Sequence, residues 1–282
     1  MLKNLLIKNY RLFRNLEISN LRQVNLIAGT NNAGKTALLE AIRIYANNCS
    51  QTIIGNIVLQ RSALNESRLY ESFKSVCYKE TDEFFINETV CKFNVLKNGE
   101  LQVVVNNIVR VGSNLFNLAD YQNPIDKTMF IPFYAKNEIK MRNEWWENII
   151  FSDEEQAKVI ELLNLITPIK IKRISIYEEV PVFLLESGEK VKMSSWGDGA
   201  RRLLMIGLAL VNAKNSFLLI DEFEVGLHFS IQEKIWNIIF NYAQKNNIQA
   251  FITTHSYDTI KSFSYSMANY ERLGQYLRLQ RS

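Results

Sequence analysis

The sequence predicts an α/β fold built around a mostly parallel sheet, and three segments carry that expectation. Val24-Asn-Leu-Ile-Ala28 reads as a buried strand running into a glycine-bounded loop and then an amphipathic helix. Phe217-Leu-Leu-Ile-Asp-Glu222 reads as a second buried strand, ending in two carboxylates, and Ala250-Phe-Ile-Thr-Thr-His255 as a third, ending in a histidine. Buried strands separated by helices are the pattern of a parallel sheet covered on both faces.

The remaining elements follow in chain order. Leu5 to Lys8 and Leu16 to Leu21 are predicted as short strands around a turn. Ala37, Leu38, Ala41, Ile42 and Tyr45 form the apolar stripe of the helix after the loop. From about Cys49 to Tyr78 the pattern is mixed and reads as mostly helical. Val90 to Lys97, a turn at Asn98-Gly99, and Leu101 to Val105 form a hairpin signal. Ser152-Asp-Glu-Glu155 has capping-box spacing and opens a helix that Pro168 stops. Ile169 to Tyr177 and Val182 to Leu185 read as strands, Leu203 to Val211 as an apolar helix. Ser230-Ile-Gln-Glu233 is a second capping box, predicting a helix to about Gln244.

Composition excludes several classes. Of 282 residues, 47% are apolar and 22% charged, which rules out disorder for most of the chain. The net charge of +4, from 33 basic and 29 acidic residues, permits a polyanion partner without demanding one. Cys49, Cys77 and Cys91 are an odd set with no C-x-x-C pair, so neither a disulfide framework nor a zinc ribbon fits. Asn212, Lys214 and Asn215 interrupt the most apolar stretch, Leu203 to Ile220, and the first ten residues do not read as a signal peptide. The expected setting is the reducing cytoplasm, away from membranes.

Four groups carry the chemistry. Gly29-Thr-Asn-Asn-Ala-Gly-Lys-Thr36 is the complete G-x-x-x-x-G-K-[ST] pattern. The glycines let consecutive backbone N–H groups turn inward around phosphate oxygens. Lys35 then reaches the outer phosphates, Thr36 ligates Mg²⁺, and the dipole of the following helix favours the anion. Asp221 and Glu222 sit at a strand's C-terminal end, where ligands of open α/β sheets bind; Asp221 suits a Mg²⁺ shell and Glu222 an attacking water. His255 is predicted to share that sheet edge with Glu222 and to sense a terminal phosphate. His228 reads equally as a loop contact or a structural residue. Ser195-Trp-Gly-Asp-Gly199 reads either as a capped loop, with Asp198 or Ser195 as N-cap, or as a second anion site at a helix start. Trp145 and Trp146 are the conspicuous aromatic pair of the middle region, expected in packing.

In this order, Gly29–Thr36, Ser195–Gly199, Phe217–Glu222, Glu224–His228 and Thr254-His255-Ser256 resemble the ATP-binding-cassette (ABC) type of ATPase. The closer resemblance is to its soluble OLD-like and RecF-like branch, AAA family ATPases of bacterial defence and repair loci, whose first strand Ile7 to Phe13 also matches. The resemblance implies an α/β P-loop head with a mostly parallel core sheet, an antiparallel β subdomain and a helical signature lobe. Residues 1–48 and 195–282 would form the nucleotide-binding core of a single head, and 49–194 an inserted lobe. Gly29, Asn31, Asn32, Ala33, Gly34, Lys35, Thr36 and Ala37 would hold ATP, with Mg²⁺ on Thr36 and Asp221. Glu222 would be the catalytic base and His255 the switch histidine.

Ser195, Gly197, Asp198 and Gly199 match the signature loop that closes on ATP held by an opposite subunit, and Glu224 to His228 the dimer-contact loop. Gln60 and the polar residues around Asn137 are the candidates for the family's Q-loop glutamine. The signature departs from the transporter sequence. The 27 residues after His255 are too few for a nuclease domain. The expected activity is ATP hydrolysis in an ATP-bridged homodimer that gates a separately encoded effector or DNA. The competing expectations are an ATP-gated clamp with little turnover and, less well matched to the signature loop, a small-molecule kinase.

Overall fold

The computed structural model describes residues 1–61, 69–79, 81–95, 101–106, 108–111, 126–133 and 138–280. The chain divides into two compact units, Met1–Leu21 with Gly34–Thr128, and Arg22–Ala33 with Met129–Ser282.

In the first unit, β1 (Leu5–Tyr10) and β2 (Phe13–Ile18) form a hairpin, pairing Leu5 with Ile18 and Tyr10 with Phe13. The sheet continues through β4 (Glu83–Ile86), β5 (Thr89–Val95), β6 (Leu101–Val105) and β7 (Ile108–Val111), in the order β2-β1-β4-β5-β6-β7 and antiparallel at every pairing. The expected hairpin is there as β5 and β6, while its turn, Asn98-Gly99, lies outside the described residues. The helices of this unit are α1 (Lys35–Ala46), α2 (Gln51–Arg61) and α3 (Leu69–Lys74). The apolar stripe of α1 is buried as its spacing required, but Glu40 and Arg43 are buried too. Glu40 accepts from Tyr10 and pairs with Arg11, and Arg43 pairs with Asp126, so each buried charge has an opposite or hydrogen-bonding partner.

The second unit holds a five-stranded sheet in the order β14-β3-β13-β12-β8. Its strands are β3 (Val24–Gly29), β8 (Thr128–Ile131), β12 (Phe217–Ile220), β13 (Gln249–Thr254) and β14 (Gly274–Leu279). The pairs β14–β3, β3–β13 and β13–β12 are parallel. All six residues of β13 are buried, as expected of a strand covered on both faces. The edge strand β14 was not expected; its half-exposed, alternating Gly-Gln-Tyr-Leu-Arg-Leu carries a weaker signal than the buried runs.

Beside this sheet lie α4 (Glu138–Glu147), α5 (Asp153–Leu163) and a smaller antiparallel sheet of β9 (Ile171–Tyr177), β10 (Val180–Leu185) and β11 (Lys190–Lys192). A 3-10 turn, Met193–Trp196, leads into α6 (Gly197–Asn212), followed by α7 (Phe229–Asn246) and α8 (Tyr257–Met267). Ser152 caps α5 by accepting from the Glu155 N–H, but its own N–H goes to the Ile149 carbonyl and Glu155 pairs with Lys214, so only half of the first capping box forms. The second box does not form at all: His228 caps α7, its Nδ1 accepting from the Ser230 N–H, and the helix has already begun at Phe229. That also resolves His228 as a cap, its ring tilted against that of Phe229 with centroids 4.3 Å apart.

The core of this unit gathers around Trp236, which stacks on Phe223 at 4.2 Å and meets Phe263 edge-on at 4.9 Å. Trp145 and Trp146 are buried in the same core. Cys49, Cys77 and Cys91 are buried free thiols, and burial pushes Cys77 up to about 12. Among the described residues no helix is long and apolar enough to cross a membrane.

Gly207 lets α6 approach α5 closely, since a Cβ there would lie 3.2 Å from both Cα and Cγ1 of Val159. Gly207→Leu is expected to force the helices apart at a cost of about 1–3 kcal/mol. Thermal unfolding checks this; an unchanged midpoint would contradict it.

Candidate functional site

The glycine loop leaves the end of β3 and enters α1. Gly29 cannot carry a side chain without displacement, because a Cβ there would fall 2.8 Å from the carbonyl oxygen of Leu279. Ala33 N–H donates to the Thr30 carbonyl, closing a tight turn in which Asn32 takes a φ of 63°. Gly34 lies in the left-handed region at φ 100°, where a Cβ would meet Phe13 Cζ at 2.8 Å. Lys35, buried, is the first residue of α1; Thr36, half-buried, and Ala37, buried, follow in its first turn. No side chain caps α1 and no acidic residue occupies its first turn. Such a helix start suits an anion, and the glycines keep the backbone bare of side chains around it. Gly29 to Ala33 belong to the second unit and Gly34 to Ala37 to the first.

The carboxylates are held by the neighbouring strand. Ile220 pairs with Ile252 across the parallel ladder, so Asp221 leaves the sheet beside Thr253. Asp221 is buried; its N–H donates to the Ile131 carbonyl, and its Oδ1 accepts from Thr253 Oγ1 at 2.6 Å. The same hydroxyl accepts from the Glu222 N–H at 2.9 Å. Glu222 adopts φ 52°, a left-handed conformation costly for a residue other than glycine.

From the opposite side, Arg202 on α6 donates through Nη2 to the carbonyl oxygens of both Asp221 and Glu222, each at 2.8 Å. Burial lowers the Arg202 guanidinium from its ordinary range to about 10, offset in part by the nearby Asp221 charge.

His255 falls where the strand pattern placed it. Its Nδ1 lies 3.6 Å from Glu222 Oε1 and 3.0 Å from Glu224 Oε1. Glu224 also accepts from Thr254 Oγ1 at 2.7 Å and from the His255 N–H at 2.9 Å. One end of the β12–β13 pair thus gathers Asp221, Glu222, Glu224, Thr253, Thr254 and His255. Such a set can ligate a hard cation, take a proton from water and contact an anion.

The Ser195–Gly199 segment is built differently from the glycine loop. Ser195 is exposed in the 3-10 turn, and Gly197 begins α6 at φ 73°. The helix therefore starts six residues before the apolar run Leu203–Val211, with the glycines inside its first turn. Asp198 is exposed and pairs with Arg201 at 3.4 Å, partly complementing the helix dipole. Gly199 faces the backbone of Gly226, whose carbonyl oxygen would sit 3.0 Å from a Cβ at 199. The Glu224–His228 turn and the start of α6 are thereby in backbone-to-backbone contact. Of the glutamine candidates, Gln60 is exposed on α2, and Asn137 lies outside the described residues.

The contacts of three participants escape sequence reasoning, although Glu224 belongs to the expected dimer-contact loop and Thr253 to the expected strand. Thr253 and Glu224 act through partners 30 to 32 residues away, and only the β12–β13 register reveals them. Arg202 reaches carbonyls 19 and 20 residues ahead and carries no local signal at all.

A parallel sheet with a phosphate-type loop, an acidic strand end and a facing histidine defines the class: an ABC-type P-loop ATPase head. Residues 1–107 match the family model "AAA ATPase domain", and residues 123–260 match "AAA domain, putative AbiEii toxin, Type IV TA system". The chain thus has the fold of an ABC-type P-loop ATPase head, and AAA ATPase-domain models match it over both of these stretches. It is similar to an "ATP/GTP phosphatase" of Helicobacter pylori, 23% identical over 93% of this chain and 87% of that one. It is also similar to the "Retron Vc95 probable ATPase" of Vibrio cholerae, 29% identical over 64% of this chain but only 34% of that protein. Among solved structures, an Smc head bound to the C-winged helix domain of ScpA matches with a TM-score of 0.59 at 13% identity, covering 92% of this chain and 91% of that one. An Smc head with an extended coiled coil, bound to a ScpA domain derived from Pyrococcus furiosus, matches at 0.54 and 11% identity, with the same coverage. These two likenesses concern the fold.

Thr253→Val would leave the Asp221 carboxylate and the Glu222 N–H without the hydroxyl they share. The expected loss is about 1–3 kcal/mol of stability, with Thr253→Ser close to wild type. Denaturant unfolding measures both; equal stability of the Val and Ser variants would contradict the assignment.

Proposed function

We propose that this chain binds Mg-ATP and hydrolyses it to ADP and phosphate in the cytoplasm, as one head of an ATP-bridged homodimer. The observation that carries this reading is the meeting of Glu222 and His255 at the end of the β12–β13 pair, 3.6 Å apart. A carboxylate beside an imidazole at a strand's C-terminal end suits an attacking water next to a terminal phosphate.

Each residue then has a role. Backbone groups from Gly29 through Asn31, Asn32, Ala33 and Gly34 to Ala37 cradle the phosphates, and Lys35 neutralises their outer charge. Thr36 and Asp221 are the protein ligands of Mg²⁺, an ion that takes one or two protein oxygens beside substrate phosphates and water. When bound, it neutralises charge on the phosphates. Glu222 accepts the proton of the attacking water as the water oxygen bonds to the γ-phosphorus, and the bond to the bridging β,γ oxygen breaks, its electron pair leaving with ADP. His255, held by Glu224, contacts the γ-phosphate. Ser195, Gly197, Asp198 and Gly199 contact the ATP of the opposite copy, which gives the second helix start a ligand that a single head does not supply.

The whole chain would then act as one head, with residues 1–48 and 195–282 as its nucleotide-binding core and 49–194 as its inserted lobe. Its output would be the opening and closing of the dimer, gating a separately encoded effector or DNA in phage defence or repair. The toxin-system family model and the retron relative support that setting.

Phosphate release and nucleotide affinity test the assignment together. Lys35→Ala is expected to abolish both. Glu222→Gln is expected to keep ATP affinity and to lower turnover by roughly 10²–10⁴-fold, the range for loss of a general base. Turnover at the wild-type rate in Glu222→Gln would remove Glu222 as the base. Tight ATP binding without turnover in the wild type would favour the clamp.

A further inference from the structure

Glu222 stands in a conformation it does not favour on its own. Its φ of 52° is left-handed, and unlike asparagine or aspartate it lacks a short side chain to support that region locally. Surrounding contacts must hold it there. On the β13 side, Thr253 fixes the Glu222 N–H and its main-chain carbonyl accepts from the Phe223 N–H at 2.9 Å. On the other side stands Arg202.

Arg202 is an unusual buried cation. It is 8% exposed, and its two hydrogen bonds among the described residues go to consecutive main-chain carbonyls rather than to a carboxylate. Among the described residues its buried Nε has no acceptor. Burying a guanidinium this way is costly, and a residue placed only to fill space would be apolar. One guanidinium nitrogen, Nη2, instead bridges the two carbonyls that flank the left-handed turn.

Arg202 also lies on the helix that begins with Gly197 and Gly199, about one turn beyond them, with Gly199 seated against Gly226. Any displacement of the start of α6 therefore bears on the Asp221 and Glu222 carbonyls through one rigid helix.

We propose that Arg202 is a positioning residue that clamps the Glu222 turn and makes the placement of that carboxylate depend on α6. It acts through the backbone of residues 221 and 222. The clamp gives the opposite copy's ATP, contacted by the first turn of α6, a mechanical route to the base in this copy. That consequence rests on the ATPase reading above; the clamp itself does not.

The test is Arg202→Met in the full chain, with ATP affinity, kcat and the unfolding midpoint measured, and the midpoint measured again beside Glu222→Gly. ATP affinity is expected within about threefold of wild type and kcat about 100-fold lower, the scale for a misplaced reacting group. Glycine adopts the left-handed turn without help. The midpoint should therefore fall clearly less when Arg202→Met is made in the Glu222→Gly background. Equal falls in both backgrounds, or a kcat within threefold of wild type, overturns the proposal. If Arg202→Met does not fold, Arg202→Lys runs the same cycle. If the wild-type chain does not hydrolyse ATP, the ATPase reading fails, while the unfolding cycle still decides whether Arg202 holds residue 222.

Discussion

Ile220 and Ile252 pair in a parallel ladder, and the residues that follow the two strands leave the sheet side by side. Much of the chemistry in this protein depends on that register. It puts Thr253 beside Asp221 and Glu222, and His255 beside Glu222 and Glu224. A slip of one residue would turn the alternate face outward and replace the Thr253 hydroxyl with a neighbour pointing the other way. The buried apolar residues of β12 and β13 fix the register, so the same burial that stabilises the sheet also places the carboxylates.

The turn after β12 stores strain at Glu222, the proposed base. Holding a non-glycine residue in the left-handed region costs about 1–3 kcal/mol, and hydrogen bonds from two directions offset it. Thr253 comes from the sheet and Arg202 from a helix. A carboxylate fixed from the sheet alone would be indifferent to the helix; here the two supports are separate. Close backbone contact between Gly199 and Gly226 adds a second tie between the same helix and the turn that follows.

The parts of this arrangement legible in the sequence are those whose signal lies within a few residues. The glycine loop declares itself by spacing, and Asp221, Glu222 and His255 by ending apolar runs. Ser152 could be read as a cap because its partner is three residues on. The Ser230 box misled because His228 can cap from two residues earlier, and histidine is not among the residues that mark a helix start. The start of α6 is hard to read, since Gly197 and Gly199 look like loop residues until their contact with the 224–228 turn is seen. Arg202, Thr253 and Glu224 act across 19 to 32 residues, and no local pattern announces them. The buried Glu40 and Arg43 interrupt an otherwise apolar helix face for the same reason, their partners being Tyr10, Arg11 and Asp126.

In the proposed dimer ATP is held between two copies, the loop of one facing the start of α6 of the other. Light scattering on the Glu222→Gln protein, with and without Mg-ATP, tests it most directly, because slowed turnover should trap the bridged state. The account predicts a shift from one copy to two that requires ATP and is lost with Ser195→Arg. An unchanged mass with ATP bound would contradict it.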